Sequence, residues 1–474
     1  MAYYDLRAYL QALEEQGRLH HIPVEVEADW EIAALCRRLF QTIPESSRPA
    51  LLFERVKGSA IPLVVGTLGA SRAVYALALG CTPEELPRRW EEARLKPLGP
   101  ETVADGPCKE VILRDEEADL ALFPHPTWST HDAGPYITAP CIISQDPETG
   151  VYNIGTYRVQ VKGPHKMGLG IGSRQDLAQH IAKNEALGRP TPVAVVIGPD
   201  PAVEVASMTK SPPGVDELAF AGGLRGEPVP LVPCGTVPLS APATAEIVIE
   251  GEIPPGYREI EGPFGEYTGY MGAAGEAPII EVRCITHRRN PIYRSFYGQM
   301  PPNEYSLMRQ VNKEMALARH LRGDLRLPVV DLHVRESGGS AAATVVAVKR
   351  LSPALPRQVA HALLGFDPYG CKYVIVVDED IDVRDPFAVE WAMSFHVQPA
   401  EDIDVVRGLP AVTQDPSQAL AEAPESDPAR LVGSKVIIDA TRKHRYPPLS
   451  LPPREHLERV DARWESYGLP LPPP

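Results

Sequence analysis

Apolar residues recur at helical spacing near the start of the chain. Leu6, Tyr9, Leu10 and Leu13 share one face, and Gly17 supplies a stop, which predicts an amphipathic helix within residues 4–19. Residues 29–40 predict a second helix, and residues 50–53 and 61–65 predict short strands. Residues 1–110 therefore read as an α/β region. Beyond that point the pattern changes. Strand-like runs at 137–144, 156–161, 193–197, 245–249, 279–285 and 291–297 alternate with turn residues, so residues 111–303 read as a sheet-rich barrel or sandwich. The clearest interruption is a helix over 173–187, with Ser173 as N-cap and Gly188 as stop. A long helix over 304–322 opens a third segment. Strands at 344–349, 372–377 and 436–439 then alternate with helices at 356–364 and 386–394, so residues 304–474 read as a second α/β domain. Residues 409–430 predict an exposed loop, and the tail a charged helix over 454–464 followed by prolines.

A length of 474 residues fits two or three domains. The net charge of -15, without a basic block, argues against nucleic acid as a partner. There is no apolar run of 18 residues, and the first residues lack the pattern of a secretory signal. The expectation is a cytoplasmic protein with no membrane span. The seven cysteines include no CxxC pair, so neither a disulfide framework nor a thiolate zinc site is expected.

The most informative string is Glu261-Gly-Pro-Phe-Gly-Glu266, with two carboxylates five residues apart and Gly262, Pro263 and Gly265 between them. Such a segment does not form a helix, and its loop can turn both acids into one cleft, where they can divide acid and base work. Arg158 offers a permanently charged donor fork for a carboxylate or phosphate, on an expected strand face shared with Gln160. Asn153, His180 and Glu227 together make a plausible mixed N/O site for a divalent metal, although their spacing does not show that they meet. Ser207, Met208 and Thr209, expected at a strand exit, offer hydroxyls and amides to a phosphate or ring edge. Gly168-Leu-Gly-Ile-Gly172 lacks the spacing of a dinucleotide loop and is set aside.

Taken together these strings resemble the UbiD family of prenylated-FMN-dependent decarboxylases. The likeness runs from Asp5-Leu-Arg through Pro49-Ala-Leu-Leu-Phe-Glu54, Asn153 to Gln160, Gln179-His180, Phe220-Ala-Gly-Gly-Leu-Arg-Gly226, Pro242-Ala-Thr-Ala-Glu-Ile-Val-Ile-Glu-Gly251 and Glu261 to Tyr270. It ends at Gly433-Ser-Lys-Val-Ile-Ile-Asp-Ala-Thr441. The resemblance implies an α/β fold in three parts: an N-terminal α/β region, a central split β-barrel of flavin-reductase type and a C-terminal α/β domain. It implies a catalytic set of Arg158, Glu261 and Glu266, with Glu266 as proton donor. The metal ligands would be Asn153, His180 and Glu227. Cofactor contacts would come from Asn153, Thr156, Arg158, Gln179, Ser207, Met208 and Lys372. The implied cofactors are prenylated FMN, Mn2+ (or Mg2+) and K+ (or Na+). The implied partners are a small carboxylic acid substrate, a flavin prenyltransferase as cofactor supplier, and further copies of the chain in a dimer or hexamer.

The substrate pocket is expected near Arg158, Gln179, Met208 and the Gln299-Met300-Pro301 loop. Arg294, His287, Gln299 and His396 hint at a hydroxylated or heteroaromatic acid, and His333 stays ambiguous. Some members carry an acid where this chain has Asn303, which places the proton task on Glu266 and leaves Glu304 in reserve. Two other readings stay open: a flavin-dependent oxidoreductase on the same barrel, and an inactive flavin-binding scaffold.

Overall fold

A computed structural model describes residues 3–173, 175–209, 215–412, 414–418 and 432–468. The first helix forms at Leu6–Glu15. Asp5 caps it by accepting the Ala8 N–H at 2.8 Å, and its buried face is Leu6, Tyr9, Leu10 and Leu13. Arg7 grips both oxygens of Glu246 at 2.8 Å and Arg288 reaches Asp5 at 2.7 Å, which fastens this helix to the central sheet. A four-stranded sheet runs in the order Leu19–Val26, Ala50–Val56, Leu63–Val65, Tyr293–Arg294. The strand expected at 291–297 is thus two residues long, and it pairs in parallel with Leu63–Val65.

The largest sheet has ten strands, paired antiparallel. Thr191–Ile197 lies between Cys141–Gln145 and Ile247–Ile253. Side-chain alternation sorts its residues into two cores. Ala194 and Val196 pack with Cys141 and Ile143, while Val193, Val195 and Ile197 pack with Ile142 and Ile249. Both faces are covered, which explains the unbroken apolar run.

Two expectations change here. The run at 156–161 is not one strand. Tyr152–Thr156 pairs with Cys141–Gln145, whereas Val159–Gly163 pairs with Tyr136–Ile137 and Lys166–Leu169. Arg158 therefore sits in the break between two strands, not on a strand face with Gln160. The helix expected over 173–187 is Asp176–Ala186. Extended Gln175, not Ser173, holds the N-cap position, and Gly188 at φ +66° ends the helix.

The helix Glu304–Ala318 leads into a five-stranded sheet ordered Val329–Val334, Ala343–Val348, Tyr373–Asp378, Val432–Ala440, Ile403–Pro410. Its three central strands are parallel and both edges antiparallel, with helices Leu355–Phe366 and Pro386–His396 packed on it. The expected loop at 409–430 begins as the end of a strand, and residues 413 and 419–430 of it lie outside the described residues, as do the final prolines. The tail helix forms at Arg454–Asp461 and buries none of its side chains. Glu314, buried on the long helix, binds Arg72 of the N-terminal region, His333 Nδ1 at 3.0 Å and the Val334 N–H at 3.1 Å. Among the described residues, no helix is long and apolar enough to cross a membrane.

Candidate active site

Arg158, Glu261 and Glu266 meet. The Arg158 Nε and Nη2 donate to the two oxygens of Glu261 at 3.0 Å each, and Nη1 donates to Glu266 Oε1. One guanidinium thus bridges both acids, and the fork geometry fixes its plane. Glu261 ends the strand Arg258–Glu261. Glu266 follows the short strand Phe264–Gly265, where the chain turns back to Met271–Gly272. Gly262 between them has φ +85°, a conformation that favours glycine. Gly170 matters too: a Cβ there would fall 2.6 Å from Arg158 Cγ and Nε, so only a glycine lets the arginine lie across that backbone. The Gly168–Gly172 string, set aside as a nucleotide loop, thereby makes room for the site.

Below the guanidinium lies the Phe264 ring, 5.4 Å from Cζ, and the Tyr136 hydroxyl donates to Glu261 Oε1 at 3.1 Å. The Glu261 side chain is 5% exposed, Glu266 14% and Arg158 25%, so Glu261 is sealed while Glu266 keeps an outlet. Burial works against the Arg158 charge, but the bonds and fields of Glu261 and Glu266 outweigh it and hold the guanidinium above its ordinary pKa. Burial, reinforced by Glu261, pushes the Tyr136 hydroxyl well above its usual value.

The expected metal ligands part company. Asn153 and His180 are buried together: Ser144 is the cross-strand neighbour of Asn153, and its hydroxyl meets His180 Nδ1 at 2.9 Å. Burial lowers the His180 pKa, keeping the imidazole neutral with Nε2 available as a donor to a cation. The Asn153 Nδ2 has no hydrogen-bond partner. Glu227 does not join them. It follows Gly226, the left-handed end of a helix, is 60% exposed, and pairs with Arg225 at 2.8 Å.

The carboxylate that does approach is Glu217, which accepts the Ile154 N–H at 3.4 Å and is buried. Burial pushes its pKa up to about 7, with Asp176 and Asp216 adding to the rise and the N–H groups of Glu217 and Ile154 opposing it. Asn153, His180 and Glu217 converge on the strand Tyr152–Thr156, and the set of amide oxygen, neutral imidazole and carboxylate fits a hard divalent cation. Among the described residues no group of three His, Cys, Asp or Glu side chains is arranged to hold a metal, and the converging set counts an Asn among its three.

The remaining expected contacts divide as well. Thr156 Oγ1 and Ser207 Oγ are 2.7 Å apart, close to the same strand, but Ser207 ends a helix, Pro201–Ser207, instead of leaving a strand. The Met208 carbonyl accepts from Asn312 at 3.4 Å, and Gln179 donates to the Ser173 carbonyl at 2.7 Å. Lys372 is engaged elsewhere, with Asp415 at 2.8 Å and Ser417 at 2.6 Å. Arg294 is fully buried between Glu204 and Glu304. Glu304 also accepts the Gly66 N–H at 2.6 Å, so its carboxyl group ties Arg294 to the backbone of the N-terminal region. Asn303 caps the helix Glu304–Ala318. His396, the last residue of the helix Pro386–His396, is buried against the Ala440 carbonyl, and His287 meets the Arg288 carbonyl at 2.7 Å. Neither lines the cleft beside Glu266.

A cleft of about 510 Å³ opens beside Glu266 and includes Gln299 and Met300 in its lining. Asp132 organises its mouth, accepting from the Trp128 and Ser129 N–H groups, the Gly265 N–H at 3.0 Å and the Gln299 amide at 2.9 Å.

Three family models match the chain in order. They are the 3-octaprenyl-4-hydroxybenzoate carboxy-lyase N-terminal domain over residues 10–94, its Rift-related domain over 101–301 and its C-terminal domain over 306–440. The chain belongs to the UbiD family of carboxy-lyases. A protein of Synechocystis sp. described as "Uncharacterized protein sll0936" is 32% identical, with 98% of this chain and 96% of the relative covered. Among solved structures, the UbiD-class enzyme HmfF of Pelotomaculum thermopropionicum in complex with FMN is 35% identical at a TM-score of 0.86, covering 97% of this chain and 100% of that one. An evolved dimeric form of HmfF in complex with prFMN is 34% identical at 0.84, covering 97% and 99%. The closed form of the vanillic acid decarboxylase of Sedimentibacter hydroxybenzoicus is 30% identical at 0.83, covering 99% and 100%.

Proposed function

We propose that this protein is a non-oxidative, reversible decarboxylase of an α,β-unsaturated, aromatic or heteroaromatic carboxylic acid, and that it uses prenylated FMN. The observation that carries the reading is the single guanidinium bridging Glu261 and Glu266. Bound prenylated FMN would supply the electron sink that side chains lack. The rest falls to the chain. Arg158, held in plane by Glu261, receives and orients the substrate carboxylate. Glu266, the less sealed of the two acids, delivers a proton to the carbon that has lost carbon dioxide. The Phe264 and Tyr136 rings exclude water from the inner side of the guanidinium.

Asn153, His180 and Glu217 would hold Mn2+ or Mg2+, with K+ or Na+ as a second cation, and the paired hydroxyls of Thr156, on the strand Tyr152–Thr156, and Ser207, at the end of a helix, would meet a cofactor phosphate. A flavin prenyltransferase would supply the cofactor. Phe387 and Phe395, 78% and 68% exposed on one C-terminal helix, support a dimer or hexamer of this chain. In a Glu266→Gln variant, carbon dioxide release from the accepted acid should fall about 100- to 10,000-fold while the bound flavin content stays unchanged. Wild-type turnover in that variant removes Glu266 from the mechanism.

A further inference from the structure

Glu266 opens a turn that closes on itself. Phe264–Gly265 pairs with Met271–Gly272, the Glu266 N–H donates to the Tyr270 carbonyl at 2.8 Å, and the Gly269 N–H donates to the Glu266 carbonyl at 2.9 Å. The carboxyl group itself has little to hold it. Among the described residues Glu266 makes one side-chain bond, from Arg158 Nη1 to Oε1, whereas Glu261 takes two from Arg158 and one from Tyr136. Where the Glu266 carboxyl group stands therefore depends on how the backbone of its turn is seated.

Tyr267, the next residue, reaches the C-terminal part of the chain. The Arg309 guanidinium lies over its ring, with Cζ 4.1 Å from the centroid. The ring edge meets Gly339. A Cβ there would fall 2.6 Å from Tyr267 Cδ2 and 2.7 Å from the Tyr267 carbonyl oxygen, and Gly339 has φ +62°, so only glycine leaves room for this approach. Arg309 stands on the helix Glu304–Ala318. Gly339 follows the single turn Glu336–Gly338, between the first two strands of the C-terminal sheet. Helix and turn are fixed to each other. The Ser306 hydroxyl meets Glu336 Oε1 at 2.6 Å, and the Gln310 amide donates to the Val334 carbonyl at 2.6 Å. The tyrosine thus enters a braced slot, built by a different region from the one that carries Arg158 and Glu261.

We infer that Tyr267 is a positioning residue for Glu266: its ring, seated between Arg309 and Gly339, sets where the Glu266 carboxyl group stands when it gives up its proton. The proton rests on the decarboxylase reading, and the seat on the contacts alone. The contacts are made by the face and edge of the ring. The bond to the departing carbon dioxide breaks before the C–H bond forms, and only the second event takes a proton from Glu266, which solvent then restores. Loss of the seat should therefore spare cleavage and impair protonation.

The test compares flavin-loaded wild type with Tyr267→Leu, Tyr267→Phe, Arg309→Met and Arg309→Lys. Deuterium exchange over peptides spanning 264–272, read by mass spectrometry, reports on the seat without any turnover. Tyr267→Leu and Arg309→Met should exchange there about threefold faster than wild type, the scale of one cation–π contact. Tyr267→Phe and Arg309→Lys, which keep the ring and the cation, should stay close to wild type. Activity is followed on whichever of cinnamate, furan-2-carboxylate and 4-hydroxybenzoate wild type decarboxylates. In Tyr267→Leu, net release of carbon dioxide should fall about tenfold at unchanged KM and flavin content. Incorporation of carbon-13 from labelled bicarbonate into the acid should persist, so the ratio of incorporation to release rises. A change that only unsettles the fold lowers both together. Wild-type deuterium exchange over 264–272 in Tyr267→Leu and Arg309→Met overturns the inference, as does a parallel loss of release and incorporation. Failure of wild type on all three acids counts against the decarboxylase reading alone, and the seat is then upheld or overturned by deuterium exchange.

Discussion

Replacing Glu217 by Gln separates the carboxylate that approaches Asn153 and His180 from Glu227, the one that does not. In the metal-free protein Glu217 is buried and holds its proton up to about pH 7, whereas an unfolded chain releases it near 4.5. Between those values the folded state carries the extra proton, so this group makes stability fall as pH rises through the window. At 1.36 kcal/mol per pH unit the loss is about 3 kcal/mol by pH 8. Gln mimics the protonated acid. Metal-free Glu217→Gln should therefore match wild type near pH 5 and exceed it by about 3 kcal/mol at pH 8. Mn2+ should nearly close that gap. At a hundred times its dissociation constant it adds about 2.7 kcal/mol to wild type, and far less to a variant lacking an anionic ligand. Urea unfolding of chelator-treated and Mn2+-loaded samples at the two pH values gives all the numbers needed. Glu227→Gln, exposed and paired only with Arg225, should track wild type throughout. If Glu217→Gln shows the wild-type pH dependence, or if Glu227→Gln alone loses the Mn2+ effect, the assignment of Glu217 is refuted.

Three further substitutions probe the same construction. Gly170→Ala places a methyl group 2.6 Å from the Arg158 side chain. It should cost about 1–3 kcal/mol in thermal unfolding and depress decarboxylation by displacing the guanidinium; unchanged melting and turnover would discount the close approach. Arg158→Lys keeps the charge but cannot bond both oxygens of Glu261 and reach Glu266 as well. Turnover should drop at least tenfold with flavin retained, and full activity would show that the fork is dispensable. Glu314→Gln leaves Arg72 and His333 without their shared anion, which should lower stability by about 1–3 kcal/mol and raise amide exchange at Val334; protection equal to wild type would count against a clasp between the two regions.

Much of the site could be read from residue order. Glu261, Glu266 and the glycines between them announce a turning loop with two acids, and Arg158 is the kind of residue that would join them. What periodicity could not supply was pairing. The run at 156–161 looks like one strand because alternation does not say which neighbour each residue bonds, and the break at Arg158 comes from a change of partner. Glu217 was missed for a related reason. One residue past the Asp216 N-cap, it resembles a solvated first-turn acid, whereas Glu227 sits in a string that stands out. A clue was present: Glu217, Phe220, Ala221 and Leu224 fall on one helical stripe, and all four are buried. An acid on an apolar stripe has to be neutral or bonded to something. The buried roles of Arg294, Glu304 and His396 had no such marker, since tertiary ion pairs leave no spacing in the chain.

Asp132 gathers donors from three stretches of backbone that are far apart in sequence: its own loop, the turn bearing Gly265, and the segment carrying Gln299. Any attempt to reshape the entrance for bulkier acids will inherit that linkage. Trimming a single loop would strand an anion, and its former companions would drift together. A library varying the three stretches jointly, with the aspartate left alone, has a better chance of yielding enzymes that both fold and accept new molecules.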